Sequence, residues 1–127
     1  MSLVNCQLFN QMPSTQGSSV LDLGCGTGVL SFYFLAKNSV RQLLLSDISY
    51  RTLGNCLFNI VQNNQMVEDV DSIKFIHSDM FTEINKNNLQ YDVLLANMPQ
   101  TPFPVDGVKL DKNGGRDGIK YNKIVLE

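Results

Sequence analysis

The sequence of 127 residues contains no apolar run approaching the roughly 20 residues that a membrane-spanning helix needs, so no membrane partner is expected. It has one histidine, His77, and three cysteines, Cys6, Cys25 and Cys56, scattered without the close spacing of a zinc site, so no metal is expected. The first 16 residues carry neither a basic region nor a long apolar stretch. Secretion is therefore unsupported, and a cytoplasmic, reducing location is expected. No Gly-Lys-Ser or Gly-Lys-Thr occurs, which removes a P-loop. Positive charge is not in excess either. With 10 basic against 12 acidic residues, a net charge of -2 and a pI near 5.3, broad binding to a nucleic-acid backbone is disfavoured. The exception is local: Lys109, Lys112, Arg116, Lys120 and Lys123 lie in a short segment whose acids are Asp111 and Asp117, a pattern that suits a solvated loop and helix face.

What the chain does have is a soluble, globular composition, 43% hydrophobic and 17% charged, and a length that fits one domain. Its most informative stretch is Val20-Leu21-Asp22-Leu23-Gly24-Cys25-Gly26-Thr27-Gly28-Val29-Leu30. A short apolar run, an acid and three alternating glycines describe a strand, a tight turn and the start of a helix. Glycines in that spacing let a backbone take positive φ or approach a ligand with no Cβ in the way. A dinucleotide turn needs Gly-x-Gly-x-x-Gly, and neither register supplies it: counting from Gly24 the third position is Val29, and from Gly26 it is Ser31.

The rest alternates between strand and helix patterns. After a lead-in arm over 1–17, the residues 18–23 form a short apolar segment, the mark of a central parallel strand buried on both faces. A helix over 27–37, apolar nearly all round, is expected to be well buried and to close at Asn38. The residues 40–46 read as a second strand ending at Asp47. A helix over 49–63 follows, with Ser49 as N-cap and Leu53, Leu57, Ile60 and Val61 on its inner face. A third strand spans 72–77 and ends at Ser78-Asp79; Asn85, Asn87 and Asn88 mark a turn; a fourth strand spans 91–96. A last helix starts near Asp117 or Gly118. His77 is expected to be buried at its strand end as a satisfied histidine rather than a catalytic one.

This alternation predicts an α/β fold with a parallel sheet and right-handed crossovers, whose ligands bind beyond the carboxyl ends of the strands. Those ends carry Gly24 to Gly28, Asp47, Asp79 and Asn97. Asp47, 19 residues after Gly28, is placed to accept hydrogen bonds from the hydroxyls of an adenosine ribose, with Ile48 beside it to pack on an adenine face.

The segment Asp-x-Gly-x-Gly-x-Gly between a strand and a helix resembles motif I of the class I S-adenosylmethionine-dependent methyltransferases. That resemblance implies a Rossmann-like, doubly wound parallel sheet, in strand order 3-2-1-4 for the part present, and S-adenosylmethionine as cofactor. Asp22, Gly24, Cys25, Gly26 and Gly28 would then sit near the cationic methionine half, Asp47 and Ile48 by the adenosine, and Asp79 and Met80 by the adenine. Asn97-Met98-Pro99-Gln100 resembles the Asn-Pro-Pro-Tyr motif of enzymes methylating planar nitrogens, with Met98 in place of the first proline and Gln100 in place of the aromatic residue. The segment from Leu110 to Ile119 looks like the one that follows this motif in HemK-type glutamine N5-methyltransferases.

The implied reaction is direct methyl transfer, with Asn97 and Pro99 as the catalytic positions and Asn97 also near the cofactor. A protein glutamine is the favoured acceptor, because the pI is acidic and the motif's base-stacking aromatic is absent. An adenine amine of RNA or DNA, or a small molecule, is the alternative, and a non-catalytic adenosylmethionine-binding subunit or fragment is the reading of another class. The family's sheet resembles seven strands, so the domain over 18–127 is expected to lack those after the fourth, either by truncation or because another surface covers that edge. Self-association through the exposed edge is the expected consequence.

Overall fold

In the computed structural model, the residues described are 16–100, 102 and 113–127. Most of the N-terminal arm, Lys109, Lys112 and the residues Leu110 and Asp111 of the glutamine-methyltransferase-like segment lie outside them. The elements run β1 (Ser18–Leu23), α1 (Val29–Leu35), β2 (Val40–Asp47), α2 (Tyr50–Gln62), a 3₁₀ turn (Asn64–Met66), β3 (Ser72–His77), α3 (Thr82–Lys86), β4 (Val93–Ala96) and α4 (Lys120–Leu126). The chain forms two compact units, Met1–Leu95 and Ala96–Glu127.

The strands form one sheet in the order β3-β2-β1-β4, and β1, β2 and β3 are parallel. Leu21 pairs with Leu44 and Leu23 with Ser46; Leu45 pairs with Phe75 and Asp47 with His77. The Leu43-Leu44-Leu45 run explains how one strand serves two layers. Successive side chains leave a strand on opposite faces, so Leu43 and Leu45 join Val20, Phe34, Leu53, Cys56 and Ile60 in one core, while Leu44 joins Leu21 and Ile84 in the other.

Local differences from the sequence expectations have physical causes. Helix α1 is shorter than expected and buries only Ser31 and Phe34, with Val29 50% exposed, because a helix turns a narrow stripe toward the sheet whatever the rest of it contains. The helix ends at Leu35 with Ala36 as its C-cap rather than at Asn38, whose Nδ2 donates back to the Phe34 carbonyl at 2.9 Å. Helix α2 has Ser49 as its N-cap, its Oγ accepting from the Thr52 N–H at 3.2 Å, but it turns Leu53, Cys56 and Ile60 inward and leaves Leu57 48% and Val61 61% exposed.

The asparagine-rich stretch read as a turn contains α3. The buried Ser78 hydroxyl accepts the Glu83 N–H at 3.0 Å and Ile84 anchors the helix in the core, which outweighs the weak helix preference of Asn85. Strand β4 begins at Val93 rather than Tyr91, since Asp92 is occupied by a reciprocal pair of bonds with Ser19, its N–H to the Ser19 carbonyl at 2.7 Å and its Oδ2 from the Ser19 N–H at 2.8 Å. Helix α4 starts at Lys120 because Gly118 has φ +77°, outside any right-handed helix. His77 is exposed, not buried; its ring stacks on Tyr50 at 3.6 Å and its Nε2 lies 2.8 Å from the Ile48 carbonyl.

Candidate functional site

The glycine turn leaves β1 at the carboxyl edge of the sheet. Gly24, Gly26 and Gly28 have φ +68°, +57° and +84°, a run that residues with a Cβ adopt only at a cost of about 1–2 kcal/mol each. At Gly28 a second reason applies, since a Cβ there would stand 2.8 Å from the Cys56 Sγ of α2. A Cβ at Gly26 would meet nothing within 4 Å, so the turn faces open space at this point. The turn is tied to the sheet by the Cys25 N–H, which donates to the Ser46 carbonyl at 2.9 Å, and to itself by the Gly28 N–H, which donates to the Cys25 carbonyl at 2.9 Å.

Asp47 connects this turn to the next element. Its Oδ2 accepts the Gly26 N–H at 3.1 Å, its Oδ1 accepts the Ser49 N–H at 2.9 Å, and its carbonyl accepts the Ser78 N–H at 3.0 Å. One residue therefore joins the glycine turn, the start of α2 and the end of β3. Each carboxylate oxygen keeps a lone pair for a ligand, as a ribose hydroxyl would require. Ile48 is 48% exposed beside it.

Asp22, expected near the methionine half, is a buried residue of β1. Its Oδ2 accepts the Ser31 hydroxyl at 2.6 Å. Burial raises its pKa to about 6; the Ser31 bonds oppose that shift and the charge of Asp47 adds to it. Cys25 and Cys56 are buried free thiols. The hydrogen bond to Cys56 and then burial push the Cys25 thiol up, so it stays protonated near neutrality and is a poor nucleophile.

At the end of β3, Asp79 is exposed and Met80 is half-buried with φ +48°. The conformation is held by the Ser78 hydroxyl, which donates to the Met80 carbonyl at 2.9 Å. Gly24, Cys25, Gly26, Gly28, Asp47, Ile48, Asp79 and Met80 are thus brought to one edge of the first unit. Among the described residues no group of His, Cys, Asp and Glu side chains is arranged to hold a metal ion.

Asn97 and Pro99 belong to the second unit. Asn97 is exposed and follows the last residue of β4, Met98 is buried and Pro99 is half-buried. The glycines further on have a role here that their sequence pattern does not state. A Cβ on Gly114 would lie 2.9 Å from the Gln100 carbonyl carbon, and one on Gly118 would lie 2.5 Å from the Gln100 carbonyl oxygen. Glycine at both places lets this segment pack against the backbone of Asn97-Met98-Pro99-Gln100. Beyond it, Lys123 pairs with Asp117 at 2.9 Å and the Lys120 ammonium stands 5.2 Å from the centre of the Tyr121 ring.

Sequence reasoning did not find Ser31, Cys56 or Ser78 as parts of the site. The one available signal was a serine, Ser31, within an otherwise apolar helix; nothing in the sequence marks Cys56 as the residue beneath Gly28.

Residues 6–109 match the methyltransferase small domain family. A ribosomal RNA large subunit methyltransferase G from Pseudoalteromonas atlantica is 32% identical over 95 residues, covering 72% of this chain and 24% of the relative. A ribosomal RNA small subunit methyltransferase C from Psychromonas ingrahamii is 32% identical over 92 residues, with the same coverage, 72% and 24%. The chain spans about a quarter of the length of these curated relatives. Among solved structures, M. capricolum TrmK in complex with S-adenosyl-homocysteine superposes with a TM-score of 0.58 at 18% identity, over 76% of this chain and 40% of that one, a likeness of fold.

Proposed function

We propose that this chain, which belongs to the methyltransferase small domain family, carries the cofactor-binding half and the acceptor motif of an S-adenosylmethionine-dependent methyltransferase that modifies a planar nitrogen of ribosomal RNA. The observation that carries the cofactor half is the bond between Asp47 and the Gly26 N–H at 3.1 Å, which fixes an acid beside an open glycine turn. The residues fit the group chemically. The Gly26 position leaves room for a close approach, Asp47 retains acceptor capacity for ribose hydroxyls, Ile48 offers an apolar face, and Asp79 with Met80 stands at the adjacent strand end for the adenine.

S-adenosylmethionine supplies a methyl group already activated by its sulfonium. The chain's own part is orientation. The side-chain carbonyl of Asn97 accepts an N–H of the acceptor and turns its lone pair outward for attack, and Pro99 stiffens the segment that carries Asn97. No strong general base is needed, since the nitrogen loses its proton during or after transfer, and neither His77 nor Cys25 is assigned one.

The acceptor is the finer part of the reading. The names of the relatives, methyltransferases of the large and small ribosomal RNA, move the preference from a protein glutamine to RNA. Arg116 and Lys120 suit an RNA backbone, in a chain whose overall charge does not. A protein glutamine, as in HemK-type enzymes, remains the second reading, favoured by the glycine segment packed on the Gln100 backbone. A ribosomal acceptor also fits the expected cytoplasmic, reducing location. The test is transfer of a labelled methyl group to ribosomal RNA and to a glutamine-containing protein, by full-length enzyme and its Asn97→Ala variant. Transfer to RNA, lost in Asn97→Ala with cofactor affinity kept, is the expected result. Transfer to protein alone would move the assignment to the glutamine class, and cofactor binding without transfer to any acceptor would support a non-catalytic binding subunit.

A further inference from the structure

The bond between Ser31 and Asp22 joins two buried polar side chains. Ser31 is buried in α1, a helix otherwise of Val, Leu, Phe and Tyr residues, and an apolar side chain in its place would leave the buried Asp22 carboxylate one partner short. Instead its hydroxyl reaches the Asp22 Oδ2 of β1 at 2.6 Å, and its backbone N–H bonds to the same carboxylate. We propose that Ser31 is a positioning residue for cofactor binding: it holds the Asp22 carboxylate as an anion beneath the glycine turn, where its charge favours the cationic methionine half of the cofactor. This rests on the cofactor reading given above.

The electrostatics support that geometry. Desolvation is the largest influence on Asp22 and pushes it up to about 6, and the two bonds from Ser31 are what pull it back. Among the described residues, the charge of Asp47 at the end of β2 also acts on Asp22, and both acids act on Cys25 in the turn and Cys56 on α2; none of these groups is a cation. Among the described residues no positive side chain acts on Asp22, so the bonds from Ser31 are what favour its ionised form. The cofactor then meets a negative charge held at fixed depth rather than one that moves on a flexible side chain.

The test follows the Asp22 side-chain carboxyl carbon by NMR through a pH titration of the wild type, Ser31→Ala and Ser31→Thr, together with calorimetric titration of each with S-adenosylmethionine across pH. Ser31→Ala is expected to move the Asp22 midpoint upward by about one to two pH units, the loss of one hydrogen bond to a charged acceptor. Its cofactor affinity should fall about threefold at pH 7 and recover by about pH 9, where Asp22 is ionised in both proteins. Ser31→Thr keeps the hydroxyl and should restore both. Should Ser31→Ala fold poorly, Ser31→Cys keeps the volume with a weaker donor and should give the same shift in smaller measure. An unchanged midpoint in a cofactor-binding protein, or an affinity reduced equally at every pH, would overturn the proposal alone. A wild type that binds no cofactor at any pH would overturn the reading on which the proposal rests.

Discussion

The carboxylate of Asp47, at the end of β2, holds the backbone N–H of Gly26 at 3.1 Å, in the middle of the turn that follows the neighbouring strand β1. Its other oxygen holds the Ser49 N–H that opens α2. The acid that a ribose would contact is therefore also the strut of the glycine turn, so one substitution tests both.

Asp47→Ala removes both bonds, and each hydrogen bond to a charged acceptor is worth about 1.5–3 kcal/mol. Cofactor affinity measured by calorimetry should fall by at least about tenfold, and NAD should bind neither protein. Asp47→Asn keeps one acceptor oxygen and should fall between. Wild-type affinity in Asp47→Ala would remove Asp47 from the site.

Two glycines of the turn should respond differently to alanine. At Gly28 the new Cβ meets the Cys56 Sγ at 2.8 Å as well as an unfavourable φ of +84°, so a loss of about 2–4 kcal/mol is expected in urea unfolding. Gly26→Ala, with φ +57° and nothing within 4 Å, should cost only the backbone part, about 1–2 kcal/mol, while weakening cofactor binding through the methyl placed in the open space. Cys56→Ala should relieve part of the Gly28→Ala loss. Equal losses at the two positions would mean that the contact with Cys56 is not constraining the turn.

Asp22 should leave a signature in stability against pH. Burial raises it from 3.8 to about 6, so the folded chain holds that proton more tightly than the unfolded chain does. The stabilisation is complete below about pH 4 and is lost as pH rises through about 6. Relative to Asp22→Asn, which does not titrate, the wild type should lose about 3 kcal/mol between the ends of that window. Urea unfolding of both proteins at several pH values measures it, and a constant difference would show that Asp22 keeps its ordinary pKa when folded.

The core assignment separates two aliphatic residues on successive helices of the chain. Ile84 of α3 is 1% exposed, and Ile84→Ala should cost about 2–5 kcal/mol; Leu57 of α2 is half-exposed, and Leu57→Ala should cost under about 1 kcal/mol. Thermal or chemical unfolding decides it. A larger loss at Leu57 would return it to the inner face that its spacing suggested.

Much of this molecule is legible in its local sequence. The short apolar runs bounded by turn residues mark β1, β2 and β3, and the close glycines mark a backbone that must take positive φ, because these demands are met within a few residues of the chain. Asp47 and Asp79 stand out for the same reason, as acids ending strands. What the chain could not state locally depends on which residues the parallel pairing brings side by side. Leu53 and Leu57 carry the same side chain on the same helix, and only docking of α2 on the sheet turned Leu53 inward and left Leu57 exposed, giving the inner place to Cys56. Asn85 lies in α3 because the Ser78 hydroxyl and the pocket around Ile84 were available to it. The reach of Asp47 to Gly26, of Ser31 to Asp22 and of Cys56 to the space beside Gly28 spans 21, 9 and 28 residues of sequence. Such contacts arise from the register of β1 on β2 and the packing of two helices on one face, and they decided how the glycine turn is held.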